Sequence, residues 1–338
     1  MMQTSGDNSA TLLGLGWASF FSDQLGADEA DLIPTRIASV HRTRLGGMAE
    51  AGPYELVLPP HTNTGDYAVG DWVLVEPYTG LLRRRLDRKS VLERRLGDGT
   101  SQLGGANIDT LFVVTSCNAD FNIARLERFL ALANQAGTVP VLVLTKADTS
   151  ENAELYREQA SSLQRDLPIV IIDARAADAG VALAPWCGVG QTVAVVGSSG
   201  VGKSTLVNTL AGSGETVTLT GDIREHDSKG KHTTTARSLH AMASGGWIID
   251  TPGIRTLHVG DMTEGLDTVF AEITELTSQC RFRDCTHAHE PGCAVQAAVA
   301  SGAIDGERLA RWRKLQDERP AKANGRGRTA PSAPRRRR

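Results

Sequence analysis

The chain contains no long hydrophobic run. Among its 338 residues the one leader-like stretch is Thr11-Leu12-Leu13-Gly14-Leu15-Gly16-Trp17-Ala18-Ser19-Phe20-Phe21. It lacks a preceding basic segment and is too short to cross a bilayer, which takes about 20 apolar residues. No membrane association is expected, and the stretch reads as a docking segment or a mobile N-terminal extension. Net charge is also nearly absent: 36 Lys and Arg stand against 39 Asp and Glu, −3 overall. Total charge therefore gives no reason to expect a polyanionic partner. No internal repeat stands out. Cysteine is scarce at five, yet Cys280, Cys285 and Cys293 fall within one short stretch around His287. In a chain with no secretory signature, that clustering favours a metal over disulfides. The 41% hydrophobic content suffices for a sizeable core, and the length for two or three domains.

What is present begins with Gly197-Ser198-Ser199-Gly200-Val201-Gly202-Lys203-Ser204, a phosphate-binding loop of the form GxxxxGKS. The apolar run Thr192–Val196 precedes it as a buried parallel strand should, and Thr205–Leu210 follows with helical potential. The glycines let backbone N–H groups point inward around phosphates, and the helix start adds positive potential. Lys203 would reach the β- and γ-phosphates and the Ser204 hydroxyl would ligate Mg²⁺. Asp250-Thr251-Pro252-Gly253 follows the short strand Trp247-Ile248-Ile249, 46 residues after Ser204. Asp250 suits a Mg²⁺-holding carboxylate, and the Gly253 N–H would meet the γ-phosphate.

Base choice is read from Thr145-Lys146-Ala147-Asp148, at the end of the apolar run Val139–Leu144. A carboxylate at Asp148 accepts two hydrogen bonds from guanine N1–H and its 2-amino group, and adenine offers no such pair. The usual NKxD pattern has Asn where this chain has Thr145, which keeps a hydroxyl but loses the amide's reach. Ile169–Ile172 is a further strand, and Asp173-Ala174 after it fits the remaining base-contacting loop. An ATPase is the least favoured nucleotide enzyme.

The order is base motif, second base loop, phosphate loop, then the Asp250 motif. This is a circular permutation of a GTPase domain, feasible because the termini of compact domains are often close. Its consequence is that the switch after Asp250 leads directly into the C-terminal module. That module carries Cys280, Cys285, His287 and Cys293, spaced C-x4-C-x-H-x5-C. Three thiolates and one imidazole make a closed tetrahedral zinc site with no open position, hence structural. Cys117, near a strand end, reads as a small buried hydrophobe.

With these motifs, the chain resembles the ribosome small subunit-dependent GTPase A family of circularly permuted ribosome biogenesis GTPases. The resemblance rests on TKAD, GSSGVGKST (through Thr205) and DTPG in that order, Gly230-Lys231-His232-Thr233-Thr234-Thr235, and Cys280–His287 running on through Glu290-Pro291-Gly292-Cys293. Ala68–Val73 and Asn107-Ile108-Asp109 add to it, and the match spans roughly 35–315. It implies a multidomain chain of three modules: OB-fold β-barrel 35–100, permuted P-loop α/β GTPase domain 101–262, and mostly helical zinc domain 263–318; an extension 1–34 precedes them, and the Gly/Pro/Ala/Arg-rich basic tail 319–338 is expected to be disordered in isolation. Short alternating runs from Arg36 to about Arg95 suit a small barrel independently. Gly306–Leu315 reads as a helix with Leu309, Trp312 and Leu315 on one apolar face.

Ras-like enzymes place a water-orienting Gln after the DxxG glycine. Here that residue is Ile254, which cannot hydrogen-bond. The resemblance points instead to His232 as the catalytic residue and Thr234 as a further Mg²⁺ and γ-phosphate ligand. Their Gly- and Lys-rich segment is expected to be mobile alone and ordered on the ribosome, so intrinsic hydrolysis should be slow. The resemblance also implies a cytoplasmic, monomeric protein acting on the small (30S) ribosomal subunit, its 16S rRNA and proteins, late in maturation. Arg83, Arg84, Arg85, Arg88, Lys89, Arg94 and Arg95, against Asp87 and Glu93, form a basic barrel edge that could face RNA or simply be solvated. The terminal segment 311–338 adds eleven basic residues against Asp317 and Glu318. Two other readings stay open: a GTP-switched RNA-binding protein with negligible turnover, which Ile254 favours, and a permuted GTPase acting on another ribosomal particle.

Overall fold

Five strands form the N-terminal unit. The computed structural model describes residues 11–95, 101–176, 178–212, 237–250 and 262–318, excluding the side chains at 94, 95, 101, 237 and 250. Strands β1 (Ile33–Val40), β2 (Leu45–Ala49), β3 (Gly52–Glu55), β4 (Trp72–Val75) and β5 (Leu82–Arg85) build a barrel. β1 pairs antiparallel with β2 and β4, β2 with β3, and β4 with β5. A parallel bridge between Val57 and Leu81 joins the end of β3 to the start of β5. The resulting order, β1-β2-β3-β5-β4-β1, is a five-stranded OB-type barrel. Ile37, Leu45, Leu56, Val73, Val75 and Leu82 fill it.

A hairpin of β6 (Val91–Arg95) and β7 (Ser101–Ala106) leads into the second sheet. That sheet contains β8 (Thr110–Ser116), β9 (Val139–Thr145), β10 (Ile169–Ile171), β11 (Thr192–Gly197), β12 (Arg237–Ala241) and β13 (Trp247–Asp250). Its order is β10-β9-β8-β11-β13-β12, parallel except for β12. β8 and β11 are buried at every position, because helices cover both faces, which is why these strands read as unbroken apolar runs. α1 (Ser19–Ser22) belongs to the N-terminal segment, where Phe21 packs on Trp17 and Trp72; the helices of the sheet are α2 (Ile123–Gln135), α3 (Ala153–Ser161), α4 (Ala179–Leu183) and α5 (Lys203–Ala211). β12 also pairs with β1 of the barrel, Ser39 opposite Ser238 and Val40 opposite Arg237. Barrel and parallel sheet are therefore one hydrogen-bonded structure.

Residues 11–32 are docked. Leu15 is fully buried, Trp17 stands edge-on to Trp72 at 4.8 Å, and Trp247 Nε1 donates to Gly14 O at 2.7 Å. Beneath them lies Arg36, 1% exposed. Its Nη1 donates to Leu15 O and its Nη2 to Thr192 Oγ1, both at 2.6 Å. Burial pushes the guanidinium down to about 10, while the Asp109 charge opposes that, so it remains charged at neutral pH. Asp109 itself accepts from Thr192 N and from Lys89 Nζ. Asn107 Nδ2 donates to Gly70 O. The Gly70-Asp71 and Asn107-Ile108-Asp109 stretches thus form the joint between barrel and parallel sheet.

The C-terminal helices are α6 (Thr263–Val269), α7 (Ala271–Thr277), α8 (Ala294–Ala300) and α9 (Gly306–Asp317). Leu309, Trp312 and Leu315 are buried on one face of α9, as their spacing predicts. Arg308 of α9 donates to Val269 O at 2.8 Å and Leu163 O at 3.1 Å, and lies 4.5 Å over the Phe270 ring. Its Nη1 and the Arg311 Nε both reach Glu127 of α2, at 3.2 and 3.0 Å. Burial pushes the Glu127 carboxyl up and the two arginines oppose it; without them a buried carboxylate would be very costly. α6 lies so close to α2 that a Cβ on Gly265 would sit 2.0 Å from Ala131 O. Gly265→Ala should lower stability by about 1–3 kcal/mol, read as a lower Tm with the loss concentrated in hydrogen-exchange protection across α2, α6 and α9.

Candidate functional site

The carboxyl ends of the parallel strands form one edge, where ligands of open α/β sheets bind. β11 lies centrally between β8 and β13, and the phosphate loop leaves its end. The turn requires glycine: a Cβ on Gly197 would lie 2.2 Å from Val114 O, and Gly200 and Gly202 take φ of 81° and 95°. Ser199, Gly200 and Ser204 are exposed at the mouth. Among the described residues, Ser199 and Gly200 make no hydrogen bond within the protein. Their N–H groups are available to an anion at the start of α5. Lys203 Nζ rests on Ser198 O at 2.5 Å. Arg125 Nη1, from the first turn of α2, reaches Ser198 Oγ at 2.5 Å.

The base-side residues stand at the ends of β9 and β10. Thr145 is fully buried, and its hydroxyl donates to Val201 O of the phosphate loop at 2.6 Å. The expectation that Thr145 merely loses reach is thereby refined: its hydroxyl ties the base-side strand to the loop. Lys146 follows with φ of 57°, a left-handed conformation that non-glycine residues adopt at some cost, often at functional sites. Ala147 and Asp148 come next in a 3₁₀ turn, with Asp148 exposed. On the neighbouring loop, Asp173 Oδ1 accepts from Arg175 N, and Ala174 O accepts from Thr209 Oγ1 of α5 at 2.7 Å. The structure thus brings 145–148, 173–174 and 197–205 to one sheet edge. The Asp250 backbone ends β13 opposite Val195. The Asp250 side chain, His232, Thr234, Gly253 and Ile254 lie outside the described residues, as does the basic tail.

Cys280, Cys285, His287 and Cys293 converge, with their ligand atoms all within 4.8 Å of one another. His287 Nδ1 lies 3.4 Å from Cys280 Sγ and 3.6 Å from Cys293 Sγ, and those two sulfurs are 3.9 Å apart. A tetrahedral ion with metal–sulfur bonds of about 2.3 Å and a metal–nitrogen bond of about 2.0 Å separates its ligands by roughly 3.5–3.8 Å. The four residues therefore fit a metal. Burial lowers the His287 imidazole from its ordinary value, which favours the neutral form a metal ligand needs. Burial also pushes the metal-free Cys285 thiol up to about 12, so metal uptake must release protons.

Sequence reading did not single out what shapes this loop. Glu290 accepts from Thr286 Oγ1, Thr286 N, Ala288 N and His289 N. The Thr286 hydroxyl and these N–H groups hold its carboxyl well below the usual carboxylate range. The barrel's basic edge also differs from a free cationic face. Arg83 meets Glu76, Arg84 meets Glu29, Arg85 and Arg88 meet the buried Asp71, and Lys89 meets Asp109. The side chains of Arg94 and Arg95 lie outside the described residues. Glu290→Ala should keep the helical content and lower metal affinity about 10–100-fold, as lost support around a metal ligand typically does; chelator competition measures it.

The comparisons with known proteins agree with this geometry. The family model described as RsgA GTPase matches residues 85–260. The small ribosomal subunit biogenesis GTPase RsgA of Mesorhizobium japonicum (strain LMG 29417 / CECT 9101 / MAFF 303099) is 64% identical over 331 residues, covering 96% of each chain. RsgA 2 of Vibrio vulnificus (strain CMCP6) is 45% identical, covering 93% of this chain and 89% of its own. The crystal structure of YjeQ from Thermotoga maritima superposes with a TM-score of 0.63 at 24% identity, over 85% of this chain and 98% of its own. That of YloQ, a circularly permuted GTPase, gives 0.61 at 21%, over 88% and 99%. The two structures share the fold, permutation included, and the sequence matches carry the rest: this chain belongs to the RsgA GTPase family and is a GTP hydrolase.

Proposed function

We propose that this GTPase binds the small ribosomal subunit, acts late in its maturation, and couples GTP hydrolysis to its release. The observation that carries this is the 64% identity, along nearly the whole chain, to a protein named for small ribosomal subunit biogenesis. The functional modules follow as 1–34, 35–100, 101–262, 263–318 and 319–338. GTP binds along 197–205, with the loop N–H groups and Lys203 on the phosphates, Asp148 on the guanine edge, Lys146 along its face, and Asp173-Ala174 closing the base side. Ser204, Thr234 and Asp250 hold Mg²⁺, which neutralises charge developing on the phosphates. His232 orients the attacking water, since Ile254 cannot.

Zinc in the Cys280–Cys285–His287–Cys293 set is structural, because all four positions come from the protein. Its role is to fix the surface beside it. A groove of about 1200 Å³ there is lined by Arg281, Phe282, Arg283 and Arg313, together with the carboxylates Asp267 and Asp317. Phe282 is 41% exposed. Guanidinium groups beside an exposed aromatic suit ribosomal RNA. This face is a better RNA contact than the barrel edge, whose described cations already meet carboxylates. Among the described residues no helix is long and apolar enough to cross a membrane, and a cytoplasmic monomer fits the proposed partner.

The testing experiment is GTP hydrolysis with small subunits, with large subunits, and with ATP in parallel. Stimulation by small subunits alone is expected. Tight GTP-dependent binding without stimulation would favour the binding-switch reading, and response to large subunits another particle. His232→Ala should keep GTP affinity within about twofold while stimulated turnover falls by about 10²-fold or more; unchanged stimulated turnover would remove His232 from the mechanism.

A further inference from the structure

Arg125 is a cation placed where the local backbone disfavours one. It sits in the first turn of α2, which contains no acidic residue, and the positive end of a helix dipole repels cations. The side chain is exposed, and among the described residues it pairs with no carboxylate. Instead its Nη1 is held 2.5 Å from Ser198 Oγ, on the phosphate loop 73 positions away.

Ser198 locates that contact within the nucleotide site. The same residue's carbonyl takes Lys203 Nζ at 2.5 Å. The lysine of such a loop serves the β- and γ-phosphates, so Ser198 marks the terminal-phosphate side. Two cationic side chains thus converge on one loop residue. They do so where the start of α5 and the inward N–H groups already make the potential positive. A terminal phosphate would add negative charge within reach of the Arg125 guanidinium, and GTP has one more phosphate there than GDP.

We propose that Arg125 is a specificity-determining residue that favours GTP over GDP, by adding positive charge to the γ-phosphate side of the loop from within the same chain. The inference rests on the loop being the GTP site. It has a structural consequence, because α2 also carries Glu127, which anchors Arg308 and Arg311 of α9. The helix that senses the terminal phosphate is the one on which the C-terminal module is mounted.

The test measures equilibrium affinities for GDP and a non-hydrolysable GTP analogue with the full-length chain, its Arg125→Gln and Arg125→Lys variants, and Lys203→Ala. Arg125→Gln should weaken the GTP analogue about tenfold, the scale of one charge-assisted hydrogen bond, and leave GDP within about twofold. Arg125→Lys should restore most of that loss, since it keeps the charge. Equal weakening of both nucleotides by Arg125→Gln would reduce Arg125 to a support for Ser198 and overturn the proposal; so would no change in either. Lys203→Ala should lose both nucleotides. If it does not, the loop assignment itself fails, whatever Arg125 does.

Discussion

A buried guanidinium destabilises the structure around it unless acceptors are brought to its N–H groups. Arg36 draws three stretches of chain together through its two terminal nitrogens, while its Nε is buried without a hydrogen-bond partner: its own barrel strand, the Leu15 carbonyl of the N-terminal segment, and the Thr192 hydroxyl at the start of β11. Asp109 completes the charge balance and receives the Thr192 N–H. β11 is the strand that delivers the phosphate loop. The barrel is consequently fixed to the amino end of the strand whose carboxyl end carries the nucleotide chemistry. Residues 11–32 close over this arrangement and keep water away from it.

A second constraint comes from the permutation. In this chain β8 precedes the phosphate loop and β13 follows it, yet both must pair with β11. Side-chain ties supplement the sheet's own hydrogen bonds. Thr145 reaches Val201 across 56 positions, and Thr209 reaches Ala174 across 35. Both ties join the base side to the phosphate side, so the two halves of the nucleotide cannot be held independently.

The same economy of contacts mounts the C-terminal module. α2 presents Ala131 to Gly265 of α6 and Glu127 to two arginines of α9, and from its first turn Arg125 touches the loop. At the opposite side, β12 is hydrogen-bonded to β13 within the parallel sheet and to β1 of the barrel. Barrel and helical module are thus joined to the nucleotide sheet through regular elements, one a strand and one a helix. Such elements transmit a displacement with little loss, as a packed interior does.

The sequence by itself determined the local chemistry. A phosphate loop is legible because its glycine spacing is demanded by backbone approach, as at Gly197, and the Cys280–Cys285–His287–Cys293 set because four ligands close together in sequence need only a short loop to meet. The rotated motif order could be read for the same reason: each motif sits at the end of its own apolar strand. Tertiary structure alone decided the pairings between residues far apart. Arg84 meets Glu29 across 55 positions and Arg308 meets Glu127 across 181. A run such as Arg83–Arg85 therefore looks like a free cationic edge in sequence, while in the fold its members face carboxylates. The physical reason is that charge neutralisation depends on distance in space, and strand order, barrel closure and helix docking set that distance.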